Sequence, residues 1–439
     1  MKIQQNILQI RDTYVLKENM RSEPLISQTV SLSEDTVLEF QFDDDTVWIS
    51  DPASMEELFP EAVASLRSLN TSVFELPSTL SLPSQERGIV KDIALKVFKV
   101  FVKKQVIGPI VRELAGKLEE KVLNQERGLL QIRQDFSFIN EKPANPGLYL
   151  LLIHGTASST HQSFGDLRHE SKEKPVETAL WQYIFTTYRE NVFAFEHESL
   201  TKSPLNNVLD LVRELPQNAT LHLLTQSRGG LVGELLAKFF DEKADKKGFT
   251  KVEKDYLRKH NQNKDPDRVK EVDLIEEIEN IIADKNIRID KFIRVACPAN
   301  GTTLASKRLD IWLNVIFNVA GLALAQASNP VYVAFKNLLT AVVESKDDPD
   351  VLAGLAPQNP ESAINKVINN TESVTLLSSP LYVISGDNQL SFKLKALLGI
   401  LTNLFFLVKM TLLSIPPPCI RVPAVLMEAP SFFWMKVPM

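Results

Sequence analysis

The stretch with the clearest chemical potential is Thr225-Gln226-Ser227-Arg228-Gly229-Gly230. Strand-like residues from Leu221 to Thr225 run into it. An apolar-periodic helix (Leu231, Val232, Leu235, Leu236, Phe239) runs out of it. A serine at a sharp strand-to-helix turn has its Oγ lifted clear of the sheet, where it can act as a nucleophile. Small residues two positions before and after keep such a turn from clashing. The usual pattern is G-x-S-x-G; here the flanks are Thr225 and Gly229, so it reads T-x-S-x-G. The competing reading is an ordinary βα turn with a helix-capping serine.

A second turn, His154-Gly155-Thr156-Ala157-Ser158-Ser159-Thr160, follows the apolar run from Gly147 to Ile153. That run has strand length and no polar alternation, as a strand buried on both faces of a parallel sheet requires. Val192 to Phe195, Leu221 to Leu224, Phe292 to Ala296 and Leu381 to Ser385 read as four more strands. Helical patterns lie between them, for example Asn207 to Leu215 and Leu231 to Phe240. Strands alternating with helices predict an α/β fold with a parallel sheet. Both turns then fall at carboxyl ends of strands, where open α/β sheets bind ligands.

The sequence divides the whole chain into four regions, of which this core is one. Residues 1–80 form a small β-rich region, with a hairpin between Val37–Phe42 and Thr46–Ile49 across the acidic turn Asp43 to Asp45. That turn lacks further ligands at calcium-loop spacing, so no metal is expected. Residues 81–145 read as a linker, marked by Pro77 and Pro83 in a Ser/Leu-rich run, and an amphipathic helical pattern from Gly88 to Leu123 that Gly108-Pro109 should kink or split. Its lysines make peripheral membrane contact the lesser alternative to packing on its own domain. Residues 146–407 form the α/β domain. Its charged helical segment 241–290, with the stripe Leu274, Ile275, Ile278, Ile281 and Ile282, reads as a surface insertion or cap. The apolar stretch from Ile311 to Val343 is too interrupted to span a membrane and is expected to wall an apolar cleft. Residues 408–439 are an irregular tail with three consecutive prolines.

Taken together, the segment from about residue 146 to 405 resembles the α/β-hydrolase superfamily. It looks closest to a bacterial lipase-like family with an HGT-x-S-S-T turn, an H-S-R-G-G elbow and a C-P-x-x-G-T-T-L-A segment. The matching residues are His154 to Thr160, Gln226 to Gly230, and Cys297 to Ala305, with Gln226 where histidine is usual. The resemblance implies an α/β-hydrolase-like, mostly parallel sheet flanked by helices. It also implies an esterase- or lipase-type serine hydrolase acting on a small acyl-containing substrate, lipids included, without a cofactor. Ser227 would be the nucleophile. The backbone amides of Thr156 and Arg228 would form the oxyanion hole, with His154, Gly155 and Gly229 supporting the two turns.

A triad of this class takes its acid and then its histidine after the nucleophile. The six histidines are His154, His161, His169, His197, His222 and His260, and only His260 follows Ser227. Asp387 is the tentative acid. In the tail, starting each codon on the third base of the preceding one turns Lys409-Met410-Thr411 into Asn or Asp followed by Asp. The same shift turns Phe433-Trp434-Met435-Lys436 into Leu-Asp-Glu. The lipase-like resemblance implies an N-D-x-V-V acid loop at this point, so the expectation is a frameshift near residues 405 to 408 that replaced the acid loop and cut off the histidine segment, leaving the activity impaired. The rival reading is a non-catalytic interaction or sensing module of the same fold.

Composition narrows the rest. A chain of 439 residues with 44% apolar and 24% charged residues fits two or three globular units. The net charge of −6 gives no basis for nucleic-acid binding. Two distant cysteines, Cys297 and Cys419, argue against a disulfide scaffold, and the N-terminus has no apolar signal core. The expected location is cytoplasmic.

Overall fold

A computed structural model describes residues 9–15, 29–31, 36–42, 47–52, 73–75, 79–82, 91–102, 108–124, 126–168, 178–240, 248–262, 266–301, 310, 313, 314, 316, 317, 329–345, 351–369 and 381–384. The chain divides into two compact units. One takes Met1–Leu114 and Arg308–Asp347, the other Ala115–Lys307 and Asp348–Asp387.

The first unit is built on an antiparallel sheet. Its strands are β1 (Gln9–Val15), β3 (Thr36–Phe42), β4 (Val47–Ser50), β6 (Thr79–Leu82) and β7 (Lys91–Val102), in the order β1-β7-β3-β4 with β6 also on β7. A short pair, β2 (Thr29–Ser31) and β5 (Val73–Glu75), stands apart. The predicted hairpin is present as β3 and β4, with Phe40 opposite Trp48.

Where a helix is expected from residue 88, the chain instead forms β7, the longest strand of the sheet, and the helix Gly108–Val122 begins only afterwards. The apolar positions of this stretch satisfy both periods. Val97, Phe98, Val100 and Phe101 are β-branched or aromatic, and pairing with three neighbours outweighs a weak helical stripe. The basic amphipathic helix proposed for a membrane surface is thus a strand. Among the described residues no helix is long and apolar enough to cross a membrane.

The stretch from 311 to 343 also departs from expectation. It belongs to this first unit, where the helix Pro330–Ser345 packs on β3 and β4. Lys336 Nζ lies 2.6 Å from Glu39 Oε2, and Lys99 Nζ takes the other oxygen at 3.0 Å. The Asn314 side-chain amide pairs with the edge of β4, accepting from Ile49 N at 2.8 Å and donating to Ile49 O at 2.7 Å. The described part of this stretch covers the β-sheet of the first unit.

The second unit is a mixed, mostly parallel seven-stranded sheet. Its strands are β8 (Gly128–Ile132), β9 (Phe138–Ile139), β10 (Gly147–Ile153), β11 (Val192–Glu196), β12 (Ala219–Gln226), β13 (Arg288–Val295) and β14 (Leu381–Ile384). They lie in the order β14-β13-β12-β10-β11-β8-β9. The five predicted strands are β10 to β14, all parallel to one another; β8 and β9 are additional, with β8 antiparallel to β11 and β9 antiparallel to β8.

Alternation in β10 serves both faces. Tyr149, Leu151 and Ile153 join a core with the helices Pro204–Glu214, Gly229–Lys238 and Glu271–Lys285. Leu150 and Leu152 join a second core with Phe164, Trp181 and Ile184. The charged segment 241–290 is accordingly not a solvated cap. Ile275, Ile278 and Ile282 lie in the main core, so Glu271–Lys285, the last of the helices between β12 and β13, packs into it.

The chain passes from β10 outward to β11, then returns across β10 to β12. The topological switch point therefore falls between β10 and β12. At such a point the loops leaving the two strands diverge and open a crevice for a ligand.

Candidate active site

Ser227 is the residue directly after β12, on one side of that switch point. Its φ is +50°, in the left-handed region that a side chain enters at a cost of about 1–2 kcal/mol. The strain is overdetermined by its surroundings. Ser227 N donates to Val295 O at 2.9 Å, at the end of β13, and Gly230 N donates to Ser227 O at 2.9 Å as the helix Gly229–Lys238 begins. A Cβ on Gly229 would collide with the carbonyl oxygens of Ile153 and His154, and one on Gly230 with Cys297 Sγ. The glycine pair thus lets the helix start close against β10. Among the described residues Ser227 Oγ has no hydrogen-bond partner, and the side chain is half-buried.

The His154–Thr160 turn lies directly against this elbow. A Cβ on Gly155 would sit 3.0 Å from Ser227 Cβ and 2.5 Å from Gln226 Oε1. Ser163 Oγ donates to that same Gln226 oxygen at 3.3 Å. Ala157 in this turn and Ala296 after β13 also have positive φ, +47° and +48°. Three neighbouring strands thus each end near a strained non-glycine residue, a clustering found at active sites and ligand clamps. The amides of Thr156 and Arg228 have no acceptor among the described residues, whereas the next amide, Ala157 N, donates to Ser199 Oγ at 2.8 Å.

Beneath the two turns is a buried polar layer. His154 Nε2 accepts from His197 N at 3.2 Å, which places its proton on Nδ1, 2.9 Å from Gly155 O. Burial pushes its pKa down to about 3, so the 3.8 Å approach to Glu196 Oε2 is not an ion pair at neutral pH. His197 stacks on it with ring centroids 4.1 Å apart and is likewise held neutral by burial. Glu196 accepts from Thr160 N at 2.9 Å, and burial raises its carboxyl above the usual range.

The Arg228 side chain is fully buried. Nε donates to Gly354 O at 2.7 Å, and Nη2 donates to Lys202 O at 2.8 Å and Asn207 Oδ1 at 2.9 Å. Burial lowers its pKa to about 9, with Glu119 opposing the shift, so it remains a cation at neutral pH.

The structure brings His154, Gly155, Thr156, Ser227, Arg228 and Gly229 together. Among the described residues it does not bring a base to Ser227. His222 lies five residues back along β12, about 16 Å away at strand rise. It is held between Asp290 Oδ2 (2.7 Å from Nε2) and Tyr188 Oη (2.5 Å from Nδ1). His161 is exposed and stacked on Phe138 at 4.4 Å, and His260 bonds Tyr256 O within its own helix. His169, Asp387, the Thr302–Ala305 end of the C-P-x-x-G-T-T-L-A segment and the tail 408–439 lie outside the described residues. Among the described residues no group of three or more His, Cys, Asp or Glu side chains could hold a metal ion. Cys297 is packed over Gly230, and burial pushes its thiol up to about 12, far from a nucleophile's range.

Sequence reasoning missed Glu119, Glu196, His197 and Ser199. The polar run Glu196-His197-Glu198-Ser199 directly after a buried parallel strand was an available signal for three of them. Glu119, on a helix before the sheet, had none.

A family model described as a domain of unknown function (DUF7379) matches residues 130–254, a span that contains both turns of the site. No curated protein matches the chain.

Proposed function

We propose that the second unit is an α/β-hydrolase-like serine hydrolase of esterase or lipase type. Ser227 is its nucleophile, and the Thr156 and Arg228 amides are its oxyanion donors. The observation that carries this reading is Ser227 at φ +50° between the end of β12 and a helix start, with Gly155 pressed against it. A strained strand-to-helix turn is how this class displays a serine Oγ, and its second oxyanion amide comes from the turn after the third strand. In chain order β10 is the third strand of this sheet. Two amides that have no acceptor among the described residues could hold the charge that develops on a carbonyl oxygen during acyl transfer.

In this reading Ser227 Oγ attacks the acyl carbon of an ester, and its proton passes to a base. The alkoxide leaves with a proton, and water then releases the acid. Turnover of a short-chain p-nitrophenyl ester by the full chain, compared with Ser227→Ala, tests it. Ser227-dependent release of nitrophenol supports the reading; equal rates in the two proteins defeat it.

A second reading, a non-catalytic module on the same scaffold, is favoured by one observation. Each described histidine is engaged away from Ser227, and loss of one triad member can cost about as much as loss of all three. Ligand binding without turnover, unaffected by Ser227→Ala, distinguishes it.

A further inference from the structure

We infer that Glu119 is a positioning residue for this site, acting through the loop Glu198–Ser203 that follows β11. The inference rests on the hydrolase reading for its functional meaning, but its structural content stands separately. Glu119 is 2% exposed on the helix Gly108–Val122. Its Oε1 accepts from Leu200 N at 2.5 Å, and its Oε2 accepts from Thr201 Oγ1 at 2.5 Å and Thr201 N at 3.3 Å. One carboxylate therefore takes three donors from two successive loop residues.

The loop so held carries the acceptors for both arms of the site. Ser199 Oγ accepts from Ala157 N, the amide next to Thr156. Lys202 O accepts from the Arg228 guanidinium. Leu200 O accepts from Gly354 N at 2.9 Å, and Gly354 O in turn accepts from Arg228 Nε. Glu198 O accepts from Asn207 Nδ2 at 3.1 Å, and Asn207 Oδ1 accepts from Arg228. Each turn with an unpartnered amide is thus tied to the same short loop, and the loop to Glu119. A carboxylate serving only its own burial would need donors, but not donors on the segment that braces both turns. Leaving a buried carboxylate in place of an apolar contact is costly. Here the cost is offset by three donors from Leu200 and Thr201, and the carboxylate fixes the loop that carries them.

The test uses the full chain with Glu119→Ala, Glu119→Gln and Thr201→Val, and the core truncation Ile278→Val as a control for stability alone. Two quantities are read: hydrogen exchange at the Ala157 and Leu200 amides, and the rate at which a fluorophosphonate modifies Ser227. In Glu119→Ala, exchange at both amides accelerates and the modification rate falls about 10²-fold, the order expected for a misplacement near 1 Å. Glu119→Gln, which keeps an acceptor oxygen, restores most of the loss, and Ile278→Val alters neither quantity. Unchanged exchange at Ala157, or modification at the wild-type rate in Glu119→Ala, overturns the inference. If Glu119→Ala does not fold, Thr201→Val carries the test: faster exchange at Leu200 and Ala157 supports it, and unchanged exchange overturns it. If the wild-type chain is not modified at all, the hydrolase reading fails, and exchange at Ala157 alone decides whether Glu119 braces the turn.

Discussion

Gly155 and Ser227 are in van der Waals contact across the gap between β10 and β12, with room for a hydrogen and not for a methyl group. A Cβ at 155 would meet Ser227 Cβ at 3.0 Å and the Gln226 side-chain oxygen at 2.5 Å. The Gln226 side chain can move, but Ser227 is fixed by backbone bonds on both sides. Gly155→Ala is therefore expected to fold while displacing the elbow, lowering Ser227 reactivity by about 10²-fold. Gly229→Ala, where the obstructing atoms are backbone carbonyls, should cost stability as well, by about 1–3 kcal/mol. Phosphonate modification rates and thermal melts of the two variants check the contrast.

The strain at Ser227 makes a prediction about stability alone. Glycine occupies positive φ without the Cβ penalty. Ser227→Gly should therefore be more stable than Ser227→Ala by about 1 kcal/mol, although both remove the hydroxyl. Urea denaturation of the two variants measures the difference. Equal stabilities would mean that residue 227 carries no backbone strain.

Legibility in the sequence followed the locality of each signal. The five apolar runs that became β10 to β14 and the Thr225–Gly230 turn were readable because strand period, glycine placement and turn chemistry lie within a few residues. The stretch 91–102 was not, because Val and Phe at its spacing fit either period and only pairing with β1, β3 and β6 decides for a strand. Ile275, Ile278 and Ile282 were visible as a stripe, but their charged surroundings hid that the stripe faces a core. Asn314 on Ile49 and Glu119 on Leu200 join residues 265 and 81 positions apart, and nothing local announces such pairs.

His154 gives a pH dependence of definite sign. Burial holds its folded pKa at about 3 against an ordinary 6.5, so the unfolded chain binds the proton more readily between those values. Its contribution to stability is complete above about pH 6.5 and is lost as pH falls toward 3. Glu119 and Glu196, raised by burial, act oppositely: their contribution is complete below 4.5 and is lost as pH rises through their folded values. Comparing wild type with His154→Gln isolates the histidine. The variant should lose less stability than wild type between pH 6.5 and pH 4, measured by denaturant titration at each pH.

In the first unit, Asn314 pairs with the edge of β4 as a strand would, through Ile49 N and O. Asn314→Ala leaves Ile49 N and O without that partner and should destabilise the unit by about 1–3 kcal/mol. Hydrogen exchange at the Ile49 amide should accelerate while exchange in β10 to β12 stays unchanged.

Because the described histidines are all engaged elsewhere, a diffusible base should partly substitute for a built-in one. Added imidazole is expected to raise the rate of nitrophenyl ester cleavage by the wild-type chain beyond the imidazole-dependent rate of Ser227→Ala. A difference of zero at every imidazole concentration would indicate that the missing base is not what limits Ser227.

The central claim is that Ser227 Oγ is a nucleophile set at an oxyanion site. It is tested most directly by incubating the full chain with a fluorophosphonate and locating the adduct by peptide mass spectrometry. The account predicts a single phosphonyl adduct on Ser227. It should be absent in Ser227→Ala and strongly slowed in Gly155→Ala, while Ser158, Ser159 and Ser163 in the neighbouring turn remain unmodified. Modification spread over those serines, or none at Ser227 after prolonged incubation of the folded protein, would contradict it.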